Sequence, residues 1–303
     1  MPQPASDTAL PVPAGESAPV FRFAPSPNGL LHRGHAFSAL LNRELARRAG
    51  GRLLLRIEDI DLARCSEANV TAILEDLHWL GITWYGPVRR QSRHFADYAA
   101  AAETLLAREL LYRCYASRTE IAAVDLGRDP DGAPLRRRAR PVLDPHEEER
   151  RRQAGEPFAL RLDMQRALAA FVDTGERLDH PVFSSAFPLA DDMERRAADP
   201  ARWGDVVVVR KDAPTSYHLS VVVDDALQGV THIVRGSDLE AATDVHRLLQ
   251  GLLGLPVPAY HHHGLIRDEE GEKLGKSRGS RSLRALREAG VSRDEVLAGL
   301  GFA

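Results

Sequence analysis

The sequence predicts an α/β fold: a mainly parallel sheet with covering helices, interrupted by an inserted α+β subdomain. Three observations predict it. Short apolar runs suited to strands alternate with segments of helical periodicity, the pattern of a parallel sheet. One such run, Arg52–Ile57, ends in the acidic Glu58-Asp59-Ile60-Asp61, as a buried strand does when carboxylates stand at its carboxyl end, where open α/β sheets collect ligands. Between Asp125 and Glu156 the alternation gives way to clusters of Gly, Pro, Arg and Glu, and it resumes afterwards.

Met1–Pro19 is rich in Pro, Ala and Ser, without a basic start or an apolar run, and is expected to be a disordered tail rather than a signal peptide. Val20–Phe23 reads as a strand. Pro25 and Pro27 then pin a loop, and Asn28-Gly29 is a turn dipeptide. His32 and His35 stand at the mouth of a helix in which Phe37, Leu40, Leu41 and Leu45 recur at helical spacing, and Gly50-Gly51 stops it. Because a helix N-terminus offers free N–H groups and a partial positive charge, and Gly34 permits close approach, this stretch can hold an anion. A metal site at His32-x-x-His35 would need a third ligand that no nearby residue supplies.

Further on, Ser66 can cap a helix from about Glu67 to Leu80 that Gly81 stops, and Ser92 can cap a long Ala-rich helix reaching Leu111. Tyr112–Tyr115 is a short strand, and Ser117-Arg118-Thr119-Glu120 has the spacing of a capping box. The stretch from Asp125 to Glu156 is a surface excursion with a charged helix, whose basic run Arg136–Arg140 either is solvated or touches RNA phosphates. Strands resume at Phe158–Met164 and Val206–Arg210, while Tyr217–Val230 is ambiguous between strand and buried helix. Thr231–Val234 is a strand, Leu239–Leu253 a helix, and Tyr260–Ile266 a last strand leading into Gly271-Glu272-Lys273-Leu274-Gly275-Lys276-Ser277. His261, His262 and His263 alternate faces on that strand, so they cannot all ligate one ion. Trp79, Trp84 and Tyr85 suit core or wall positions better than base-stacking platforms.

A chain of 303 residues can form one large domain with an insertion, and its 44% hydrophobic and 27% charged residues are those of a globular protein with no membrane-spanning run. The net charge of -3 leaves any nucleic-acid partner to a local basic face and disfavours nonspecific DNA binding. Two distant cysteines, Cys65 and Cys114, exclude a disulfide framework and a thiolate-rich zinc site. A cytoplasmic location is expected. Lysine is scarce: of Lys211, Lys273 and Lys276, the last two share one loop.

Ala24-Pro25-Ser26-Pro27-Asn28-Gly29, His32-Arg33-Gly34-His35, Arg56-Ile57-Glu58-Asp59 and Lys273-Leu274-Gly275-Lys276-Ser277, together with Val222-Val223-Asp224-Asp225, Gln228-Gly229-Val230-Thr231 and Val234-Arg235-Gly236, resemble the paired motifs of class I glutamyl-type aminoacyl-tRNA synthetases. The resemblance covers roughly Phe21 to the C-terminus. Within that group, Arg235-Gly236-Ser237-Asp238-Leu239 and a length expected to leave no room for an anticodon-binding domain resemble the glutamyl-Q tRNA(Asp) synthetase family. That resemblance implies a Rossmann-like nucleotide-binding catalytic domain and a ligase. It implies activation of L-glutamate by ATP to glutamyl-adenylate without need of tRNA, then transfer of glutamate to queuosine in the anticodon of tRNA(Asp). The alternatives are a truncated glutamyl-tRNA synthetase that charges a tRNA 3′ end, and a noncatalytic paralogue that binds tRNA or nucleotide.

The resemblance also implies roles. His32, His35, Lys273 and Lys276 would be catalytic, and His32, Gly34, His35 and Lys276 would bind ATP, with Mg²⁺ sharing the phosphate charge. Glutamate would be held by Arg22, Phe23, Ala24, Pro25, Ser26, Glu58, Tyr217 and Arg235, which offer two cations, an anion and a hydroxyl to two carboxylates and one ammonium. Which arginine takes which carboxylate stays open, with Arg22 favoured for the side chain; for Arg235 an ion pair with Asp224, Asp225 or Asp238 is the structural alternative. The sequence departs from the family at Asn28 and Gly275, and Cys114-Tyr115-Ala116 keeps only the first cysteine of a zinc motif, so no metal site is expected and the insertion must be held by apolar packing or ion pairs. The expected organisation is a tail over 1–19, the catalytic halves 20–111 and 206–281, an acceptor-type insertion over 112–205 and a helical segment over 282–303, in a monomer without membrane or DNA partners.

Overall fold

The computed structural model describes residues 18–186, 189, 193–266 and 281–302. Most of the expected disordered tail and the whole lysine loop, with Lys273 and Lys276, lie outside the described residues.

Strand β1 (Val20–Phe23) is buried along its length, as a central strand covered on both faces must be. Helix α1 (Arg33–Arg48) follows, and β2 (Arg52–Ile57) returns parallel to β1 with Phe21 opposite Leu53. Helix α2 (Glu67–Trp79) is capped by the Ser66 side chain and closed by Gly81 at φ +68, a left-handed position that suits glycine. The two-residue β3 (Arg89–Arg90) extends the edge beside β2. Helix α3 (Phe95–Ala107) starts later than the sequence suggests, after His94, because the Ser92 hydroxyl donates to Asp59 Oδ2 at 2.7 Å from a short 3₁₀ turn instead of capping the helix.

Next come β4 (Leu111–Cys114), α4 (Arg118–Ala123) with its capping box, the charged α5 (Pro145–Gln153), β5 (Ala159–Leu162), α6 (Met164–Val172), β6 (Asp179–Val182), β7 (Glu194–Ala197) and β8 (Val207–Val209). The ambiguous stretch after Ser216 is a helix, α7 (Tyr217–Leu227), with Val221, Val222 and Val223 buried in its middle. Strand β9 (His232–Gly236), helix α8 (Ala242–Leu253) and strand β10 (Ala259–His263) complete the second half, and α9 (Leu283–Glu288) and α10 (Arg293–Gly299) end it.

Among the described residues the large sheet has seven strands in the order β3-β2-β1-β9-β10-β6-β7, parallel except for the antiparallel β6/β7 edge. β1 and β9 are neighbours although Phe21 faces His232 across the whole insertion. Chain order reverses between them, so a crevice opens at their carboxyl ends, the usual ligand position in such sheets. A separate antiparallel sheet, β4-β5-β8, belongs to the insertion. Sheet membership divides the chain differently from the expected ranges. β6 and β7 lie within 112–205 yet join the large sheet, where Phe183 N–H donates to Tyr260 O; β8 lies within 206–281 yet satisfies the free edge of β5.

Among the described residues two large apolar cores result. One packs β1, β2, α1 and α2 against Leu283, Leu286, Val296 and Leu297 of the two last helices. The other joins α3, α6, α7 and α8 to the insertion through Trp203, Val206 and Val208. Trp84 is buried in the first core and Trp79 packs against it. Cys114 is buried with Ala116 and Ile121 under Val142 and Leu143, while Arg151 pairs with Glu120 at 2.7 Å and Glu147 at 2.6 Å. Apolar packing and ion pairs both hold the insertion. Arg136 of its basic run is buried, and Arg137–Arg140 are exposed. Among the described residues no helix is long and apolar enough to cross a membrane.

Candidate active site

A cleft of about 770 Å³ opens at the carboxyl ends of β1 and β9. It is lined by Arg22, Phe23, Ala24, Pro25, Ser26, His32, Gly34, His35, Glu58, Tyr217 and Arg235, so every described residue given a catalytic or binding role in the sequence analysis meets there.

The loop after β1 is fastened at both sides. Glu58 N–H donates to Pro25 O at 3.0 Å, the Ser26 hydroxyl donates to Glu58 O at 2.7 Å, and Asn69 Nδ2 on α2 donates to Pro27 O at 2.9 Å. This delivers the chain to α1, where His32 is the N-cap. Its Nδ1 accepts from Gly34 N–H at 3.1 Å, and His35 Nδ1 accepts from His32 N–H at 3.2 Å. A side chain on Gly34 would come within 3.0 Å of the His32 ring, so glycine keeps the cap closed. With each Nδ1 occupied by a backbone donor, each neutral imidazole carries its proton on Nε2 and can donate there. The rings lie 3.9 Å apart at the positive end of a 16-residue helix, an arrangement suited to phosphate oxygens.

Charge is handled differently at the two arginines. Arg22 Nε donates to Asp225 Oδ1 at 3.2 Å, and Arg56, fully buried, donates to the same oxygen at 2.8 Å and reaches Glu58 Oε1 at 3.3 Å. Asp224 next door accepts from Arg89 Nε at 2.7 Å, Gln91 Nε2 at 2.8 Å and Tyr98 OH. Burial alone would raise Asp225, but Arg56 and Arg22 outweigh it and hold the carboxyl below its ordinary range. Glu58 goes the other way: burial pushes it up, against the pull of Arg56 and Arg22. The ion pair anticipated as an alternative for Arg235 thus falls to Arg22.

Arg235 rests on neutral acceptors. Its Nε donates to His262 Nε2 at 3.2 Å, Nη1 to His246 Nδ1 at 3.2 Å and to Tyr217 Oη at 3.4 Å, and Nη2 to Thr243 Oγ1 at 2.7 Å. Among the described residues no carboxylate pairs with it. Burial and the Arg235 charge keep these imidazoles neutral, with His262 lowered to about 2 and His246 well below its usual value. His261 turns instead to Phe183 O and His263 lies against Phe37, so the three consecutive histidines do serve different surroundings. Asp225, Arg56, Thr243 and His246 were not assigned roles from sequence. The one available signal was the acidic pair following Val221-Val222-Val223 in an apolar helix, since buried carboxylates require partners.

A parallel sheet with a polar crevice at its switch point, facing a histidine-capped helix, defines a nucleotide-binding α/β protein. Residues 20–302 match the family described as tRNA synthetases class I (E and Q), catalytic domain. The chain belongs to that family, and it is an enzyme of the aminoacyl-tRNA synthetase type. It is 46% identical over 288 residues to Glutamyl-Q tRNA(Asp) synthetase of Rhodobacter capsulatus, covering 91% of this chain and 98% of the relative. It is 38% identical to Glutamate–tRNA ligase 2 of a Jannaschia species, covering 90% of this chain but 57% of that longer relative. Among solved structures, a glutamate tRNA ligase from Elizabethkingia meningosepticum, in complex with its amino acid, matches at a TM-score of 0.63 and 26% identity over 87% of this chain and 53% of that one.

Removing the shared anion tests the charge network. Asp225→Asn keeps the shape but leaves Arg22 and Arg56 buried beside a neutral amide, and it is expected to lower stability by roughly 3–5 kcal/mol in urea unfolding. An unchanged midpoint would show that the two guanidiniums do not depend on this carboxylate.

Proposed function

We propose that the chain activates L-glutamate with ATP to glutamyl-adenylate, without need of tRNA, and transfers the glutamyl group to queuosine in the anticodon of tRNA(Asp). The observation that carries the first half is the joining, in one cleft, of an anion-binding helix mouth at His32 and His35 with a pocket whose Arg235 cation lacks a described counter-ion. The 46% identity to a Glutamyl-Q tRNA(Asp) synthetase over 98% of its length supports the second half.

In this scheme glutamate places one carboxylate on Arg235 and Tyr217 and the other by Arg22, while its ammonium meets Glu58 and favours the ionised carboxylate. An α-carboxylate oxygen attacks the α-phosphorus of ATP. A carbon–oxygen–phosphorus anhydride forms, and the bond to the bridging oxygen breaks as pyrophosphate departs with its electron pair. Charge grows on the phosphate oxygens, where the His32 and His35 Nε2–H groups and the α1 N-terminus can meet it. Mg²⁺, brought in with ATP, would supply further positive charge to the phosphates. Lys276, with Lys273, joins from the sequence motif alone, since both lie outside the described residues. The reaction belongs in the cytoplasm, where ATP and tRNA are available.

Glutamate-dependent ATP–pyrophosphate exchange measures activation. Lys276→Ala is expected to abolish exchange while glutamate binding persists, and Arg22→Ala to raise KM for glutamate far more than KM for ATP. Equal rises in both constants would remove Arg22 from the amino-acid pocket, and a well-folded parent without exchange would leave a binding function only.

Labelled glutamate tests the acceptor. Label is expected on tRNA(Asp) that carries queuosine and to be absent when the tRNA lacks it. Charging of unmodified tRNA(Glu) at its 3′ end would instead make the chain a glutamyl-tRNA synthetase.

A further inference from the structure

Behind Arg235 runs a buried chain that the reaction scheme does not use. Arg235 Nη1 donates to His246 Nδ1 at 3.2 Å, and His246 Nε2 meets His218 Nδ1 at 3.3 Å. His246 sits on α8 with only 1% of its surface exposed, its ring edge-on to Tyr217 at 5.5 Å and to His218 at 5.4 Å. A guanidinium cannot accept, so His246 Nδ1 must be the acceptor. The imidazole proton then lies on Nε2 and is donated to His218 Nδ1, which fixes the second ring as well. The polarity of the chain is set from one end.

The Arg235 fork has five N–H donors, and four of them meet neutral acceptors: His262, His246, Tyr217 and Thr243. Of these, His262 and Thr243 bond each other as well as Arg235, while Tyr217 is the longest contact at 3.4 Å. His246 is therefore the closer of the two acceptors on Nη1, and together with Thr243 on Nη2 and His262 on Nε it fixes the rotation of the guanidinium plane. A carboxylate at this place would hold the fork more strongly but would cancel the charge that an incoming anion needs. A neutral imidazole aims the cation and leaves its charge unspent.

Resting on the glutamate-activating function proposed above, we infer that His246, oriented by His218, is a positioning residue that aims Arg235 at a substrate carboxylate and preserves its positive charge. It touches no substrate itself.

Two substitutions separate positioning from packing. In Asn the Oδ1 atom occupies the place of the His Nδ1 acceptor, whereas Leu fills the space without an acceptor. His246→Leu is expected to raise KM for glutamate roughly ten- to hundredfold, the loss typical of a hydrogen bond to a charged group. KM for ATP should stay near the parent value while the thermal midpoint falls, because Leu leaves a buried Arg235 donor without this acceptor, and His246→Asn should restore most of the glutamate affinity. If the Leu and Asn variants behave alike, or if KM for ATP rises as much as KM for glutamate, His246 is only a packing residue.

A second measurement does not depend on activity. Nitrogen-15 spectra of the histidine rings at neutral pH should show His246 unprotonated on Nδ1 and protonated on Nε2. The opposite tautomer or a doubly protonated ring overturns the inference. Absent exchange activity in the parent would count against glutamate activation itself, while the ring spectrum would still decide the Arg235–His246 contact.

Discussion

The carboxylate of Asp225 is the contact on which the site's geometry depends. From the third turn of α7 it accepts from Arg22 on β1 and Arg56 on β2, and so ties two adjacent strands to the helix that also carries Tyr217. Each of these charges is almost wholly buried. Removing an ion from water costs several kcal/mol even after relaxation, so three such groups persist only because they share bonds. Arg56 divides its donors among Asp225, Gln228 and Glu58, and Asp224 gathers Arg89, Gln91 and Tyr98. The result is a nearly closed set in which every charge has an opposite within reach.

Against that balance, the environment of Arg235 is a deliberate exception in chemical terms. Its acceptors are an alcohol, a phenol and two imidazoles, and burial keeps the imidazoles uncharged at neutral pH. The desolvation cost of this cation is met only in part by neutral acceptors. In the scheme proposed above a substrate carboxylate completes it, which would turn a folding cost into binding selectivity. Arg22, already matched by Asp225, contributes less net charge and more fixed geometry. The two arginines that look equivalent in the sequence are thus distinguished by their partners.

Much of this was legible from residue order because its signals are local. The prolines of Pro25 and Pro27, the glycine at Gly34 and the histidines at His32 and His35 announce a tight loop feeding a helix mouth, and those features depend on neighbours a few residues away. The capping box at Ser117 and the cap at Ser66 were visible for the same reason. Ser92 misled because its hydroxyl had a better partner in Asp59, a distant residue that no capping pattern reveals. The helical state of Tyr217–Leu227 was undecided because both faces of its middle are buried, which erases periodicity. Likewise the pairing of β8 with β5 is not legible, since a β-branched run states that a strand will form but not which open edge will receive it.

The long separations within the site carry a smaller cost than they suggest. Arg22 and Asp225 are 203 residues apart, and Arg56 and Asp225 are 169 apart. Loop-closure entropy grows only with the logarithm of length, about 0.6 kcal/mol for each doubling, so an insertion that doubles the loop adds little to what closing it already requires. The helix mouth at His32 and His35 needs only β1, α1 and β2, which are contiguous. The side of the cleft formed by Arg22, Tyr217 and Arg235 requires α7 and β9 to arrive beside them, and the pairing of Asp225 with Arg22 and Arg56 rewards that arrival at once. The insertion's length is consequently a weak constraint, but its shape is not free: β6 and β7 extend the large sheet, and Trp203, Val206 and Val208 pack in one core with α7 and α8, so the chain is returned to Ser216, where α7 begins.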